Sequence, residues 1–528
     1  MKISFNLDDN IHPENMAVID KTDRQLQAIE KWRTYGKGIG TILAIPRFGK
    51  TRMGIIAIDK FFQKHNRANV IVIVPNDAVK NQWRKEIEYY NENINKLKGY
   101  IIVESIFRVK TINPNNNKRL IIVDEIHKYV TTTKTYNRVK SICDNNFVLG
   151  LTGSLPTDSE HLRRFNELAP VVDTITEEEA IENKWITKYT EYNIPLAFPF
   201  DLQRRYVLLS EHIAETLQLF KGTAKLINSL DIYDNIYLGF KSDYEVITAC
   251  YVGRKDITSG RYLKPSEVRE IVGKANGWKI ELNLHNDYDK QIEQYWSPSN
   301  IYKRVYTFNN FVRERNEIIN NHPSKIQTIN NIIFRTKLVP TLIYVKSIEF
   351  AEELATTLNN IATKEIAICY HSKIKSRPLV DINTGDFYKY KSGKKKDLPM
   401  IFGKIKLKRK YIEYLQSGVI KILITVESLN EGLNVPNLKR VIIAGASNNP
   451  ITHYQRANRV RTIDENDIDK VSEVINIYFD DFTYSDKNEL IISRDKSKII
   501  NKQFKLNIAP VITTVSNFIS ESTNKNRK

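Results

Sequence analysis

The stretch Ile121-Ile-Val-Asp-Glu-Ile-His127 is the most informative in the chain, because three apolar residues run directly into two acidic ones. The run Leu120–Val123 predicts a short, buried parallel strand. The carboxylates of Asp124 and Glu125 should then emerge at its C-terminal end, where open α/β sheets place their chemistry. Taken alone, the pattern fits an acidic step from a strand into a loop equally well.

A second motif lies upstream, where residues 41–51 read Thr-Ile-Leu-Ala-Ile-Pro-Arg-Phe-Gly-Lys-Thr. This pattern predicts a strand, a tight turn and a helix, as in a phosphate-binding loop with Ala44 in place of its first glycine. Backbone N–H groups would cradle phosphate, Lys50 would reach the terminal phosphates, and the Thr51 hydroxyl would hold magnesium. With this loop present, Asp124 would hold the magnesium through water, and Glu125 would orient or deprotonate the attacking water.

Composition limits the class of protein. A chain of 528 residues with 41% hydrophobic residues predicts two to four globular domains. The sequence has no apolar run of about 18 residues and no apolar core near its N-terminus, so we expect neither a membrane span nor a signal peptide. Three dispersed cysteines indicate free thiols in a reducing compartment, the cytoplasm or a host-cell cytoplasm. The nine histidines form no ligand-spaced cluster, so a structural metal is not expected.

The net charge of +19 favours a polyanionic partner, above all nucleic acid. Lys, Asn and Ile are all abundant, as in chains encoded by AT-rich genomes, so compositional drift could supply part of the excess lysine. The same composition is compatible with a phage or mobile-element origin.

Alternating strands and helices are predicted twice, which indicates two α/β domains with a cleft between them. In the first half, strands are expected at 70–74 and 147–152, with a helix at 77–90. The second half is expected to contain strands at 341–345, 366–370, 420–425 and 440–444, and helices at 348–358 and 408–416.

The region between the two α/β domains has a different pattern. Leu202–Leu230 predicts an amphipathic helix, and Phe311–Asn320 a linker helix. Aromatic and basic residues alternate at Tyr295-Trp296 and in Ile301–Tyr306, as in surfaces that stack bases and contact phosphates. A small core surrounded by solvated lysines explains the same pattern equally well. A second irregular stretch, 373–408, is lysine-rich and predicts an inserted basic loop or hairpin in contact with phosphates, or simply a solvated loop.

The second α/β unit carries two motifs of its own, Glu431–Pro436 and the segment from Gln455 to Arg461. On a helix, Gln455 and Arg459 share a face because they are four residues apart. Paired with a phosphate loop on the other domain, this segment suggests arginine fingers that complete an ATP site across the cleft.

The ordered set of motifs resembles superfamily 2 helicases of the DEAD/DEAH-like group. The resemblance covers roughly residues 20–195 and 325–475. Gln25 stands where the family often has its adenine-reading glutamine. The family's motifs I, Ia, II, III, IV, V and VI are matched, in order, by residues 44–51, 72–83, 124–127, 152–154, 342–344, 431–436 and 455–461.

This resemblance implies two tandem RecA-like parallel-sheet domains that use ATP and Mg²⁺, with a largely helical or mixed insertion between them. The implied domains are 1–197 and 326–475, the latter with the basic insertion 373–408, while 198–325 is the inserted region and 476–528 a C-terminal extension. The implied catalytic residues are Lys50, Asp124, Glu125, Gln455, Arg459 and Arg461, and the implied magnesium ligands are Thr51 and Asp124. The implied nucleotide-binding residues are Gln25, Ala44, Pro46, Arg47, Phe48, Gly49, Lys50, Thr51, Arg52, Gly432, Asn434 and Arg456.

Two departures from the family pattern affect individual residues. Asn434 stands where aspartate is common, and Thr462 holds the place of the last motif VI arginine, with Arg461 one residue early. Arg459 is therefore expected to be the main finger, with Arg461 and Arg456 as further candidates.

The expected function is that of an ATP-dependent helicase or translocase, with DNA favoured over RNA as its partner. The run Ile73–Trp83 looks more like the DNA translocase and repair branch of the family than like RNA-unwinding members. Two alternatives remain, an RNA helicase and a non-catalytic nucleic-acid-binding protein on a motor fold. The intact Lys50, Asp124, Glu125 and Arg459 argue against the second of these.

Overall fold

The computed structural model describes residues 20–65, 69–106, 108–109, 119–156, 158–198, 200–229, 236–256, 259–281, 295–381, 384–393, 395–426, 435–445, 450–464, 467, 470–479 and 511–525. Two compact units can be distinguished. One is Leu196–Lys325 with the short segment Phe479–Phe482, and the other is formed by the chain on either side of it. None of the described helices is long and apolar enough to cross a membrane.

The first sheet is built from six strands in the order β3-β2-β4-β5-β1-β6, and every pairing is parallel. Its strands are β1 Ile39–Ala44, β2 Asn69–Val74, β3 Tyr100–Ser105, β4 Leu120–Asp124, β5 Phe147–Thr152 and β6 Val171–Ile175. The accompanying helices are Lys21–Thr34, Lys50–Lys64, Asp77–Asn93, Thr133–Cys143, Ser159–Leu168 and Glu177–Glu182.

Strand β4 shows why this sheet forms. Its residues alternate between two apolar clusters, with Leu120 and Ile122 in one and Ile121 and Val123 in the other. Because successive side chains of a strand point to opposite faces, both faces of the sheet are covered and the strand is apolar throughout. The prediction of a buried parallel strand here is confirmed.

The second sheet has seven strands in the order β11-β14-β10-β15-β16-β7-β17. The strands are β7 Tyr189–Leu196, β10 Thr341–Val345, β11 Ala367–Tyr370, β14 Ile422–Val426, β15 Arg440–Ile443, β16 Ser472–Phe479 and β17 Val511–Ile512. The helices of this part of the chain are Pro323–Arg335, Ile348–Ala362, Lys404–Gln416, Pro450–Ala457 and Val515–Lys525. The two-domain α/β fold expected from the sequence is thereby confirmed.

The second sheet extends beyond the predicted second domain, 326–475, at both of its ends. Strand β7 precedes the insertion but lies beside β16, and β16 itself runs through residue 475. The physical reason is a buried polar contact, in which the Asn476 amide donates to Glu191 Oε1 at 2.7 Å and to Asn193 Oδ1 at 2.8 Å. This contact stabilises the pairing of segments that local patterns assign to different domains.

The basic stretch 373–408 is partly a hairpin and partly a helix. Short strands β12 (Arg377–Pro378) and β13 (Ile401–Phe402) pair antiparallel, as a hairpin requires. The following helix begins at Lys404, so Lys404 and Lys406 lie in its first turns rather than in a loop. It begins there because Leu407 opens the apolar stripe that continues at Tyr411 and Leu415.

The unit Leu196–Lys325 is mainly helical, with one short antiparallel pair, β8 (Arg254–Lys255) and β9 (Tyr262–Leu263). The predicted continuous helix Leu202–Leu230 is wrong. It is interrupted around Gly222, whose φ of 80° breaks helical geometry at low cost only for glycine. The described helices of this unit are Phe200–Leu219, Thr223–Ser229, Asp243–Val252, Pro265–Glu281 and Pro298–Asn320, the last of which extends the predicted linker helix by more than three turns.

Candidate active site

Three sequence motifs meet at one edge of the first sheet. Strands β4, β5 and β1 are neighbours in that order and run parallel. Their carboxyl ends therefore bring together the Asp124-Glu125 pair, the Thr152–Ser154 segment and the phosphate-loop residues that follow Ala44.

Backbone geometry makes the phosphate loop tight. Gly49 caps the helix Lys50–Lys64 with a φ of 101°, and Arg47 also has a positive φ of 74°. The positive φ at Gly49 requires glycine, and a Cβ atom there would also lie 2.7 Å from Gln25 Nε2 and displace that side chain. Gln25 in turn donates a hydrogen bond to the Phe48 carbonyl at 3.0 Å. The helix N-terminus, with its unpaired N–H groups, is therefore held open to an anion.

Lys50 points across this edge towards the acidic pair. Its Nζ atom lies 3.6 Å from Glu125 Oε1. A Cβ atom at Gly153 would stand 3.1 Å from the same nitrogen, so the glycine leaves room for the lysine. Glu125 has a φ of 52°, a left-handed conformation that a non-glycine residue adopts at some cost and that is typical of functional sites.

The two carboxylates have different environments. Asp124 is buried and accepts a hydrogen bond from Trp83 Nε1 at 2.8 Å. Burial and the neighbouring charge of Glu125 raise the pKa of Asp124 to about 6. Burial also acts to raise the pKa of Glu125, but the positive charges of Lys50, His127 and Lys128 outweigh it, so the pKa of Glu125 is lowered. Glu125 is the group that stays ionised and able to accept a proton.

His127 connects the acidic pair to the end of β5. Its Nδ1 atom lies 2.7 Å from Thr152 Oγ1 and 3.4 Å from Glu125 Oε2. The Thr152 hydroxyl also donates to the Ser154 carbonyl at 2.8 Å. A displacement of the Thr152–Ser154 segment would therefore move the His127 ring, and with it the position of the Glu125 carboxylate.

The three arginines proposed as fingers have different surroundings. Arg459 lines the cavity next to the phosphate loop, close enough for its charge to lower the pKa of Arg47, which burial also lowers. Arg456 donates from Nη1 to the Gly445 carbonyl at 3.1 Å, and its guanidinium carbon lies 4.8 Å from the centre of the Tyr344 ring. Arg461 is buried in an ion pair with Glu177, away from the cavity lining. Of the three, only Arg459 lines the cavity beside the phosphate loop.

A cavity of about 310 Å³ joins these groups. Most of the predicted site residues line it, while Gln25, Ala44, Phe48, Arg456 and Arg461 do not. Gly432 and Asn434 lie outside the described residues, so their predicted roles stay predictions. The lining consists of Pro46, Arg47, Gly49, Lys50, Thr51, Arg52, Val79, Gln82, Glu86, Asp124, Glu125, Gly153, Ser154, Tyr454, Gln455, Asn458, Arg459 and Thr462.

Sequence reasoning missed the role of Trp83. The residue lay inside a recognised motif, but only the fold shows that its indole N–H meets Asp124. A Cβ atom at Gly54 would collide with its ring, so Gly54 makes space for the indole against the phosphate-loop helix. The available signal was chemical, because a buried tryptophan N–H usually has an acceptor.

Replacing Trp83 with phenylalanine is expected to impair the use of magnesium. The variant keeps an aromatic ring, but it loses the outer indole atoms that pack beside Gly54 and the hydrogen bond that orients Asp124. Such a bond to a charged group is worth about 1.5–3 kcal/mol. We expect turnover at fixed magnesium to fall about tenfold, with a higher magnesium concentration needed for half-maximal ATPase.

The matched control is Trp32→Phe. The buried Trp32 indole donates to the Val148 carbonyl at 2.8 Å in the same domain, so its acceptor is a backbone carbonyl and not a carboxylate. Both variants should lose similar thermal stability, and only Trp83→Phe should shift the magnesium titration. A shift of equal size in both variants would contradict the orienting role.

The chemistry of the donors fits a nucleotide with Mg²⁺. The Thr51 hydroxyl and the Asp124 carboxylate, both hard oxygen donors, line the same cavity, and Mg²⁺ usually takes one or two protein oxygens together with phosphates and water. Across the described part of the chain, no group of three or more His, Cys, Asp and Glu side chains is placed to hold a metal.

Comparison with known proteins supports this interpretation. Residues 19–157 match the family model described as type III restriction enzyme, res subunit, and residues 324–463 match the helicase conserved C-terminal domain. Comparison with curated proteins gives no significant match.

The solved structures that match this chain include one from S. cerevisiae and one from Pyrococcus furiosus. S. cerevisiae Dbp5 bound to RNA and ADP BeF3 is 10% identical and has a TM-score of 0.47, over 95% of this chain and 92% of that one. The Pyrococcus furiosus Hef helicase domain is 13% identical and has a TM-score of 0.43, over 89% of this chain and 99% of that one. The two family-model matches, one on each α/β domain, support a superfamily 2 helicase.

Proposed function

We propose that the protein is an ATP-dependent helicase or translocase that acts on DNA. The observation that carries this proposal is a single cavity lined by residues of both α/β domains. Lys50, Asp124 and Glu125 come from the first domain, and Gln455 and Arg459 from the second. A site divided in this way couples hydrolysis to relative movement of the domains, because it is complete only when they are together.

The first domain would bind the phosphates of ATP. Lys50 supplies an ammonium charge at the helix N-terminus, where backbone N–H groups also point at the ligand. Thr51 and Asp124 would hold Mg²⁺, which neutralises phosphate charge when it is bound. Gln25 supports the loop through the Phe48 carbonyl, and a role for it in reading adenine rests on family resemblance.

Glu125 would orient the attacking water and accept its proton. Its lowered pKa keeps it ionised near neutral pH, and each of its two oxygens has a basic neighbour, Lys50 at Oε1 and His127 at Oε2. Arg459 would stabilise the charge that develops on the transferred phosphoryl group, while Arg456 would hold the end of the second sheet in place.

Movement along nucleic acid would follow from closure of the domains on ATP and their reopening after hydrolysis. Residues 72–83 would grip phosphates without reading the sequence. Within the same segment, the Trp83 indole donates a hydrogen bond to Asp124. A shift of this segment along the nucleic-acid strand would therefore move the carboxylate of the proposed magnesium ligand. In this proposal the two α/β domains are the motor domains, the second of them including β7 and the whole of β16. The insertion 198–325 would add strand separation or a preference for a nucleic-acid structure.

Charge and family support nucleic acid, and DNA in particular. The stretch 373–408 contains eleven lysines and arginines against three aspartates. Such a concentration of one sign suits a phosphate backbone. The preference for DNA rests on the first domain, whose family model is named for a subunit of a restriction enzyme, a class that acts on DNA.

The test is ATPase activity of the full-length protein, measured without nucleic acid and with single-stranded DNA, double-stranded DNA or RNA. We expect DNA to stimulate hydrolysis more than RNA does, and ATP to drive displacement of a labelled strand or of a bound protein roadblock. Glu125→Gln gives the background, since the amide keeps the size of the side chain and removes its basicity. If only RNA stimulates ATP hydrolysis, the assignment of DNA as the partner is wrong. If no nucleic acid stimulates it, the proposal of a nucleic-acid motor is wrong.

A further inference from the structure

The helical unit carries a row of exposed tyrosines. Tyr251, Tyr302 and Tyr306 are 40%, 44% and 45% exposed. The centres of the Tyr251 and Tyr306 rings are 6.4 Å apart, and those of Tyr302 and Tyr306 are 6.0 Å apart. The neighbouring rings are tilted by 46° and 35°, so their faces are not covered by stacking on each other. Three aromatic faces thus lie side by side at nearly even spacing.

The position of the row follows from the pattern of the helix Pro298–Asn320. Ile301, Val305 and Phe308 are buried in the core of the unit. Tyr302 and Tyr306, four residues apart, lie together on another face of the same helix. The core is complete without them. Trp296, which the sequence analysis placed among the base-stacking candidates, is instead buried in that core against Phe220.

A guanidinium group extends this surface. The Cζ atom of Arg269 lies 5.0 Å from the centre of the Tyr302 ring, and its Nη1 donates to the Cys250 carbonyl at 2.9 Å. The Arg269 Nε atom is buried and has no hydrogen-bond partner within the described part of the chain. Other arginines of the unit are ion-paired with glutamates, namely Arg205, Arg254, Arg261 and Arg313.

We propose that the tyrosine–arginine face, formed by Tyr251, Tyr302, Tyr306 and Arg269, binds unpaired bases of a single-stranded nucleic acid. Bases would stack on the tyrosine rings, and Arg269 would meet a phosphate. Stacking of this kind tolerates any sequence because every base has an aromatic face. The inference rests on the proposed function, in that the protein acts on nucleic acid, and it gives the helical unit a defined task in holding a separated strand.

Charge and geometry favour a nucleic acid over a protein on this face. The face combines flat rings with a guanidinium group, and none of its four members is a carboxylate. A polyanion with regularly repeated flat groups matches both features. A protein partner remains the outcome to be excluded, because exposed tyrosines and arginines are also common at protein interfaces.

The experiment compares ring removal with ring retention in the full-length protein without nucleotide. One double variant is Tyr302→Ala with Tyr306→Ala, and its matched control replaces the same two residues with phenylalanine. Binding is measured by fluorescence anisotropy to a single-stranded oligodeoxynucleotide of mixed sequence and to a strand of equal length rich in abasic sites. We expect the alanine variant to bind the base-containing strand about 10- to 100-fold more weakly, and the phenylalanine variant to bind like the wild type.

The abasic strand identifies the cause. It should bind more weakly to the wild type, and the alanine variant should lose little further affinity for it, because no bases remain to stack. ATPase without nucleic acid should stay at the wild-type rate. Tyr251→Ala, on the neighbouring helix Asp243–Val252, carries the same expectation and serves if the double variant folds poorly. Tyr237→Ala, at an exposed tyrosine outside the face, should change neither affinity.

Wild-type affinity of the alanine variants for the base-containing strand would overturn the inference and leave the face to a protein partner. An equal loss on the abasic strand would also overturn it, since the effect would not depend on bases. If the wild type binds no strand and its ATPase ignores nucleic acid, the proposed function itself has failed. If nucleic acid stimulates the ATPase but the alanine variants bind strands normally, only the role of the tyrosine–arginine face is rejected, and the proposed function stands.

Discussion

Lys50→Ala is expected to abolish ATP hydrolysis while leaving most nucleic-acid affinity intact. The ammonium group is the cation at the start of the phosphate-loop helix, and it lies 3.6 Å from the proposed base, Glu125. Its removal takes away charge that would meet the terminal phosphates, and it also removes a contact that orients the Glu125 carboxylate. Neither loss touches the basic stretch 373–408 or the tyrosine–arginine face.

The measurement is steady-state turnover and strand binding on the same preparation. Lys64→Ala is the matched control, because Lys64 lies exposed in the last turn of the same helix. It should hydrolyse ATP at the wild-type rate. Near-wild-type turnover in Lys50→Ala would reject the phosphate-loop assignment, and a loss of activity in both variants would mean only that the helix is sensitive to substitution.

Arg459→Ala is expected to lower turnover by roughly 10³-fold, as befits a full arginine finger. Its guanidinium lines the cavity and faces the phosphate loop of the other α/β domain. The loss should appear in kcat, since the charge is needed most when the phosphoryl group is being transferred. Because Arg459 is itself buried, some loss of thermal stability is also expected, so kcat is compared at a temperature where the variant is fully folded.

Arg461 provides the comparison that separates catalysis from packing. Arg461→Ala would leave the buried Glu177 carboxylate without its partner, and breaking a buried pair in this way costs about 3–5 kcal/mol. We therefore expect a clear fall in thermal stability and a smaller fall in kcat of the folded protein. If Arg461→Ala lowers kcat more than Arg459→Ala does, the assignment of Arg459 as the finger is wrong.

Local sequence patterns were sufficient for four strands of each sheet, β1, β2, β4 and β5 in the first and β10, β11, β14 and β15 in the second, whereas β3, β6, β7, β16 and β17 were not predicted. Thr341–Val345 was predicted to the residue, because an apolar run bounded by polar residues and proline leaves little freedom for a buried strand. The break at Gly222 was missed, since an isolated glycine in an amphipathic pattern does not by itself end a helix. The extra turns before Phe311 were missed because the aromatic residues there suggested a surface function rather than helical periodicity.

Long-range partners set the limit of prediction for the site. The spacing of Gly49-Lys50-Thr51 and Asp124-Glu125 indicated the chemistry, and the fold brings these groups together as the motifs suggested. The destination of Arg461 could not be read from its helix, because its partner Glu177 is 284 residues away in the sequence. Trp83 poses the same difficulty, because only the adjacency of strands and helices places its indole at Asp124.

The placement of β7 has a consequence for how the chain is made. The strand is synthesised before the helical unit, yet the Asn476 amide that contacts Glu191 comes 285 residues later. During synthesis, residues 189–196 emerge long before their neighbours β16 and β17, and in that interval the segment is free to pair with other chains. The second sheet can close only when the end of the chain arrives. A fragment that ends at residue 197 would contain β7 without its neighbouring strands β16 and β17. A fragment that ends after β6 would contain all six strands of the first sheet and none of the second.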